Sequence, residues 1–237
     1  MDDAKREKLP LGKDIERVLA AQGADIIKFV DISSLSEDQN KHFPVAVLMG
    51  IILSKDYLKK VSDASEYFVN LIQNNRLDED EFHQKEIVVE KMADNLADYI
   101  ESKGFSAYSQ SIENVYSTGY YDKKSKRTPL PQKTIARLAG IGWLGKHNLL
   151  VTREYGSALC ICTVLTDAPL TTEQYELKKN QCGRCEICKE ICPQNAIKGN
   201  PWSVNTDRDE LVDVHKCFPC LKCMVLCPWT QRYIKKA

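Results

Sequence analysis

Two runs of the chain, CGRCEICKEICP from Cys182 and CFPCLKCMVLCP from Cys217, place four cysteines each at the same intervals, with a proline after the last. Thiolates are soft donors, and eight of them in a repeated Cys-x2-Cys-x2-Cys-x3-Cys-Pro spacing suit iron–sulfur cages. A structural zinc site draws instead on separated pairs, often with histidine, to complete one tetrahedron. Three close cysteines can hold three corners of a 4Fe-4S cube, while the fourth, before the proline, reaches to the neighbouring cube. The spacing therefore predicts one cluster on Cys182, Cys185, Cys188 and Cys227, and a second on Cys217, Cys220, Cys223 and Cys192. Such centres pass one electron at a time.

Compartment decides between disulfides and metal for the 10 cysteines. The amino terminus, MDDAKREKLP, is charged and has no apolar core, so it does not read as a secretory signal. The longest uncharged apolar run, FPVAVLMGIIL at 43–53, is too short to cross a bilayer. The expectation is a cytoplasmic chain with no membrane partner, where clustered thiols are ligands or redox groups.

A second signal is AGIGWLGK, in which Gly140, Gly142 and Gly145 surround a tryptophan and precede a lysine. Glycines let backbone approach a ligand closely and bare its amide donors. The spacing is neither GxGxxG after a strand nor a P-loop, and a helix stop followed by a turn reads equally well. Cys160 and Cys162 alternate in an apolar run, so they share one face of a strand, most simply as small core residues. His42, His83 and His215 have no partner spacing, and His147 follows the glycine loop without an assigned role.

The elements that must position these residues read as α+β. LGKDIERVLAAQG predicts a helix stopped by Gly23, ADIIKFVDIS a strand, and FPVAVLMGIIL a buried strand. Two helices should follow. The second, EIVVEKMADNLADYIESKG, has a stripe at Val88, Met92, Leu96 and Tyr99 and an end at Gly104. FSAYSQS predicts a strand, PQKTIARLAG a helix, and NLLVTREYGSALCICTVLTD two strands joined through REYGS. Residues 178–237 carry 11 Lys/Arg against 6 Asp/Glu, and residues 1–177 carry 22 against 27, so zero net charge is a cancellation between two parts. Iron-bound thiolates would offset the basic excess, which is not read as a nucleic-acid patch. The boundary falls near 170–180, giving domains at 1–175 and 176–237.

LAGIGWLGKHNLLVTREYGSA, VLTDAPL and the double cysteine motif together resemble the epoxyqueuosine reductases, cobalamin-dependent iron–sulfur enzymes of queuosine synthesis in tRNA and relatives of the reductive dehalogenases. The resemblance spans about residues 85–230. It implies a nitroreductase-like cobalamin-binding domain followed by a bacterial-ferredoxin-like domain with two 4Fe-4S clusters. It also implies that Lys133, Gly140, Gly142, Trp143, Gly145, Lys146, Asn148, Gly156 and Ser157 lie along the corrin. Flavin is the alternative cofactor. Electrons would come from a low-potential donor such as a ferredoxin or flavodoxin. The family's aspartate acid aligns with Lys126 here, three residues before Pro129, and the family's helical repeat domain for tRNA is not among these 237 residues. A small-molecule or nucleoside-like substrate is therefore expected rather than tRNA. Tyr120, Tyr121 and Asp122 are the candidate proton donors. The other reading is a ferredoxin-like activator of a separate corrinoid protein.

Overall fold

A computed structural model describes residues 10–64 and 66–236; the charged stretch that argued against a secretory signal lies almost wholly outside them. The elements run α1 (Leu11–Ala21), β1 (Ile26–Asp31), α2 (Glu37–Asn40), β2 (Val45–Ile52), α3 (Lys55–Asp63), α4 (Tyr67–Gln73), α5 (Glu81–Ser102) and β3 (Ala107–Ser109). They continue with α6 (Ile112–Ser117), α7 (Gln132–Leu138), β4 (Trp143–Leu144), β5 (Leu150–Val151), β6 (Leu159–Thr166), α8 (Ile187–Glu190), α9 (Arg208–Leu211), α10 (Lys222–Val225) and α11 (Pro228–Lys235). The fold is α+β, and among the described residues no helix is long and apolar enough to cross a membrane.

Four strands form an antiparallel sheet in the order β1-β2-β6-β3. Side chains alternate across a strand, so β2 sends Val45, Val47, Met49 and Ile51 into a core shared with α1, α3 and α5. Ala46 and Leu48 enter a second core shared with α7. Coverage on both faces is why the run 43–53 is apolar without alternation. Cys160 and Cys162, on β6, join the α5 side of this sandwich.

Helix α5 starts at a buried cap. The Asp80 carboxylate accepts from the His83 N–H at 2.9 Å and from the Tyr57 hydroxyl at 3.2 Å. The buried stripe is Val89, Met92, Ala93, Leu96, Ala97 and Ile100. This corrects the expected stripe at both ends, since Val88 is 44% exposed and Tyr99 only partly buried. With Met92 and Leu96 fixed against the sheet, helical spacing runs back to Val89 and on to Ile100. Three helices, α3, α4 and α5, follow β2 where two were expected, and α6 was not foreseen. The strands flanking REYGS both form but do not pair with each other: β5 pairs with β4, while β6 belongs to the main sheet.

Residues 169–182 contain no helix or strand. Beyond them, the cysteine-rich part has a small apolar cluster of Cys188, Ala196, Ile197 and Val212. Met224 and Val225 of α10 instead complete the core beneath α3 and α5. The carboxy-terminal part is thus docked through its last two helices, with Tyr233 donating to the Leu53 carbonyl at 3.2 Å.

Candidate functional site

All ten cysteines are free thiols. Four of them, Cys182, Cys185, Cys188 and Cys227, line one cavity of about 180 Å³, closed by Lys146, His147, Trp229 and Arg232. Burial pushes the Cys188 thiol up to about 11, with Cys182, Cys227 and Cys185 contributing after it. Cys217 is raised by burial and then by Cys192 and Cys220. Cys223 is raised by burial, then by Cys220 and Cys217, with Cys188 and Cys192 following. The structure thus brings Cys227 to the same cavity as the first three cysteines of the other run, and Cys192 near enough to Cys217 and Cys223 to influence their thiols. Among the described residues no three His, Cys, Asp or Glu side chains converge tightly enough for a single ion.

Local packing holds these thiols. Lys146 is buried and its ammonium donates to the Cys185 carbonyl at 3.0 Å. Asn180 donates to the Leu144 carbonyl at 2.8 Å and accepts from the Cys182 N–H, tying the first run to β4. Trp229 meets Trp143 edge-on at 5.0 Å, and Arg232 covers its ring at 4.5 Å, so aromatic surface screens the cavity from water. The Trp143 indole N–H is buried without a partner among the described residues.

A larger chamber of about 580 Å³ opens between the sheet domain and the cysteine-rich part. Its walls are Phe82, Glu86 and Glu90 of α5, Gln132 and Lys133 of α7, residues 147–150, Cys160 of β6, and Cys217, Leu221 and Met224 from the other side. This volume lies in the range of cofactor pockets, about 300–1,000 Å³. Cys217 lines the chamber, and His147 lines both the chamber and the four-cysteine cavity. His147 is buried, its Nδ1 accepts from the Leu149 N–H at 3.1 Å, and burial together with Lys133 holds the imidazole down to about 4. It is therefore neutral at pH 7. Lys133 donates to the Asn148 carbonyl at 3.0 Å; burial, then Arg208 and Arg127, lowers its ammonium to about 8.

The expected corrin residues divide in three. Lys133, Asn148 and Ser157 line the chamber, Lys146 lines the four-cysteine cavity, and Gly140, Gly142, Trp143, Gly145 and Gly156 line neither. The expectation that glycine admits a ligand is corrected at Gly142 and Gly156. A Cβ on Gly142 would sit 2.2 Å from the Val151 carbonyl oxygen, and one on Gly156, at φ +60°, 2.3 Å from the Thr230 nitrogen. The chain's own backbone fills both spaces, closing the β4–β5 ribbon and seating α11.

Of the candidate acids, only Tyr121 lines the chamber. Tyr120 is buried, donates to the Gln39 carbonyl and packs edge-on against Tyr108. Asp122 is exposed and accepts the Lys124 and Ser125 N–H groups, which hold its carboxyl below the usual range. Both are corrected as proton donors, one by packing and one by a turn that favours its charged form. Lys126 is exposed at φ 53°, 3.4 Å from the Val214 carbonyl. The basic run around it is partly neutralised, because Arg127 binds both oxygens of Asp207 and pairs with Asp209. Sequence reasoning missed Glu86, Glu90, Gln132 and His147 in the chamber wall. A spacing of four from Phe82 through Glu86 to Glu90 on α5 was the signal available.

No family model matches the chain. It is 32% identical to the epoxyqueuosine reductase of Escherichia coli (strain K12) over 119 residues, covering 44% of this chain and 31% of that protein. With that of Yersinia pestis it shares 31% over 119 residues, covering 44% and 28%. The match thus spans about a third of those relatives' length. An epoxyqueuosine reductase solved with a tRNA-Tyr stem loop superimposes over 92% of this chain and 65% of its own, with a TM-score of 0.57 and 15% identity. The catabolic reductive dehalogenase NpRdhA, in complex with 3-bromo-4-hydroxybenzoic acid, covers 93% of this chain and 33% of its own, with a TM-score of 0.62 and 16% identity. The fold is therefore one shared with epoxyqueuosine reductases and reductive dehalogenases. In sequence, over about 119 residues, the chain is thus similar to epoxyqueuosine reductases, and in fold it is similar to both groups.

Proposed function

We propose that this chain is an iron–sulfur, cobalamin-dependent reductase. In this reading residues 1–175 form the nitroreductase-like domain and 176–237 the bacterial-ferredoxin-like one. Cys182, Cys185, Cys188 and Cys227 hold one 4Fe-4S cluster, and Cys217, Cys220, Cys223 and Cys192 the other. The observation that carries the proposal is the shared wall: Cys217 lines the chamber, and His147 stands between it and the four-cysteine cavity. Cys217 and His147 would thus put both clusters, when bound, next to the chamber wall.

The residues present fit an absent group. Ser157 is 4% exposed and lines the chamber, yet its hydroxyl has no partner among the described residues. A buried hydroxyl left unpaired is costly, which argues for a ligand that supplies the bond. Lys133, Asn148 and Ser157 would hold the corrinoid from the sheet side, and Lys146 would fix the Cys185 turn beneath it. Cobalamin, when bound, supplies a cobalt whose reduced states attack or reduce a substrate; the chain supplies docking, dryness and protons. Flavin is the alternative occupant, and absorption distinguishes the two.

Tyr121 in the chamber wall supports an enzyme over an activator of another corrinoid protein. The substrate proposed is a small or nucleoside-like molecule, with a low-potential ferredoxin or flavodoxin as donor. An exposed lysine at 126, where the family's acid aligns, supports a substrate other than epoxyqueuosine tRNA. The relative solved with a tRNA stem loop makes that RNA the first control substrate.

The test is reconstitution under anaerobic conditions. Iron and sulfide should reach about eight of each per chain, and hydroxocobalamin should bind at about one per chain with a changed visible spectrum. Iron well below that level would overturn the cluster assignment; full iron without cobalamin binding would overturn the cofactor assignment.

A further inference from the structure

Two of the three candidate acids do not supply a proton to the chamber, and neither does the lysine that aligns with the family's acid. Tyr120 is spent on the Gln39 carbonyl, Asp122 is fixed as a charged turn residue, and Lys126 is an exposed ammonium. Tyr121 remains, but its phenol is raised by burial and then by Tyr116, whose ring lies 4.6 Å from its own, so it parts with its proton less readily. Reduction that breaks a bond to a heteroatom nevertheless needs a proton for the atom that leaves with the electron pair.

We propose that Glu86, with Glu90 one helical turn further on α5, is the proton donor of the chamber. Both carboxyl groups line it beside Gln132 and Cys160. Neither has an ion-pair partner among the described residues, although neighbouring Lys85 is paired with Glu81. Ser157, buried and unpaired in the same chamber, is the independent sign that a ligand belongs there. This inference rests on the cofactor reading above.

The surroundings favour the protonated form of the pair. Glu86 is exposed to the chamber yet ringed by protein; this crowding, then the charges of Glu90 and Asp80, pushes its carboxyl up to about 7. Glu90 is raised as well, by burial first. The groups facing the chamber from other elements are Lys133 from α7, His147, Cys160 from β6, Tyr121 and Cys217. Lys133 is the cation among them, and its ammonium is held by the Asn148 carbonyl. The two electrons for the substrate would come from the low-potential ferredoxin or flavodoxin, with the bound clusters supplying one-electron transfer. The Glu86 O–H bond breaks, its proton passes to the substrate atom that gains the electron pair, and the carboxylate is reprotonated from water through the open chamber.

The test uses the full chain reconstituted with iron, sulfide and hydroxocobalamin, and follows the carboxylic-acid band by infrared difference spectroscopy from pH 5 to 8. Wild type should show an acid band that titrates near neutrality and shifts when hydroxocobalamin binds. Glu86→Gln should remove it while leaving iron and cobalamin contents unchanged. Glu90→Gln should move its midpoint down, because one repelling charge is gone. Absence of the band above pH 6, its survival in Glu86→Gln, or no response to bound hydroxocobalamin overturns the donor assignment alone. Failure of wild type to bind hydroxocobalamin, read from visible absorption, removes the cofactor reading and the donor with it.

Discussion

Gly156→Ala should weaken one cluster from a distance. Gly156 bridges Thr152 and lies against α11, the helix that begins just after Cys227. An added Cβ would lie 2.3 Å from the Thr230 nitrogen and 2.5 Å from its Cα, and both are backbone atoms that cannot rotate away. Thr230 is also anchored by the Ser157 N–H, which donates to its hydroxyl at 3.0 Å. Alanine at φ +60° costs about 1–2 kcal/mol for left-handed backbone, and the forced displacement about 1–3 kcal/mol more. At about 2–4 °C per kcal/mol for a chain of this size, the melting temperature should fall by about 4–20 °C. The displaced element carries Cys227, so reconstituted protein should lose iron from the cage of Cys182, Cys185, Cys188 and Cys227, seen as one weakened signal by low-temperature electron paramagnetic resonance. Gly119→Ala is the control: its φ is +70°, but a Cβ there meets nothing within 4 Å, so only the backbone cost applies. The reasoning fails if Gly156→Ala melts with Gly119→Ala, or melts lower while both clusters keep full iron.

Other predictions follow the same contacts. Cys192→Ser should damage the cluster of Cys217, Cys220 and Cys223, and Cys227→Ser that of Cys182, Cys185 and Cys188; resonance spectra showing loss within each residue's own run would refute crossed ligation. Lys133 has a folded-state value of about 8, below the ordinary 10.4 or so. The unfolded chain therefore binds the extra proton between those values, and stability contributed by this residue rises with pH across that window. Chemical denaturation at pH 7.5 and 10 should show wild type gaining on Lys133→Met; a constant difference would contradict the assignment. Arg127→Ala removes the clamp from Asp122–Arg127 to Asp207 and Asp209. Exposed pairs are worth only about 0.2–1 kcal/mol each, so the melting point should barely move while trypsin cuts faster at residues 123–126; unchanged cleavage would mean that Arg208, which donates to the Ser125 and Lys126 carbonyls, holds the segment alone.

The cysteine spacing could be read because such a pattern is local: two, two and three intervening residues suit three thiols of one cage, with the last cysteine of each run reaching elsewhere. The pattern also proposed that the last thiol serves the opposite run, and the structure places Cys227 on the cavity of Cys182, Cys185 and Cys188. Unbroken apolarity at 43–53 announced a strand covered on both faces, and alternation placed Cys160 and Cys162 on one side of β6. What periodicity left open was the exact rotation of α5, because Val88 and Val89 are both apolar and only the sheet beneath chooses between them. The glycine-rich loop misled for a related reason: glycine marks close approach but not what approaches, and here it is the Val151 carbonyl and the Thr230 backbone. The chamber itself is a tertiary product. Its walls come from α5, α7, the His147 loop, β6 and the cysteine-rich part, separated by up to 142 positions between Phe82 and Met224. No local pattern could foretell that Glu86 and Glu90 would face the same space as Ser157 and Cys217, because that depends on how α10 and α11 complete the core under α3. The proposed thiol ligands were thus written in short-range spacing, while the chamber was decided by long-range packing.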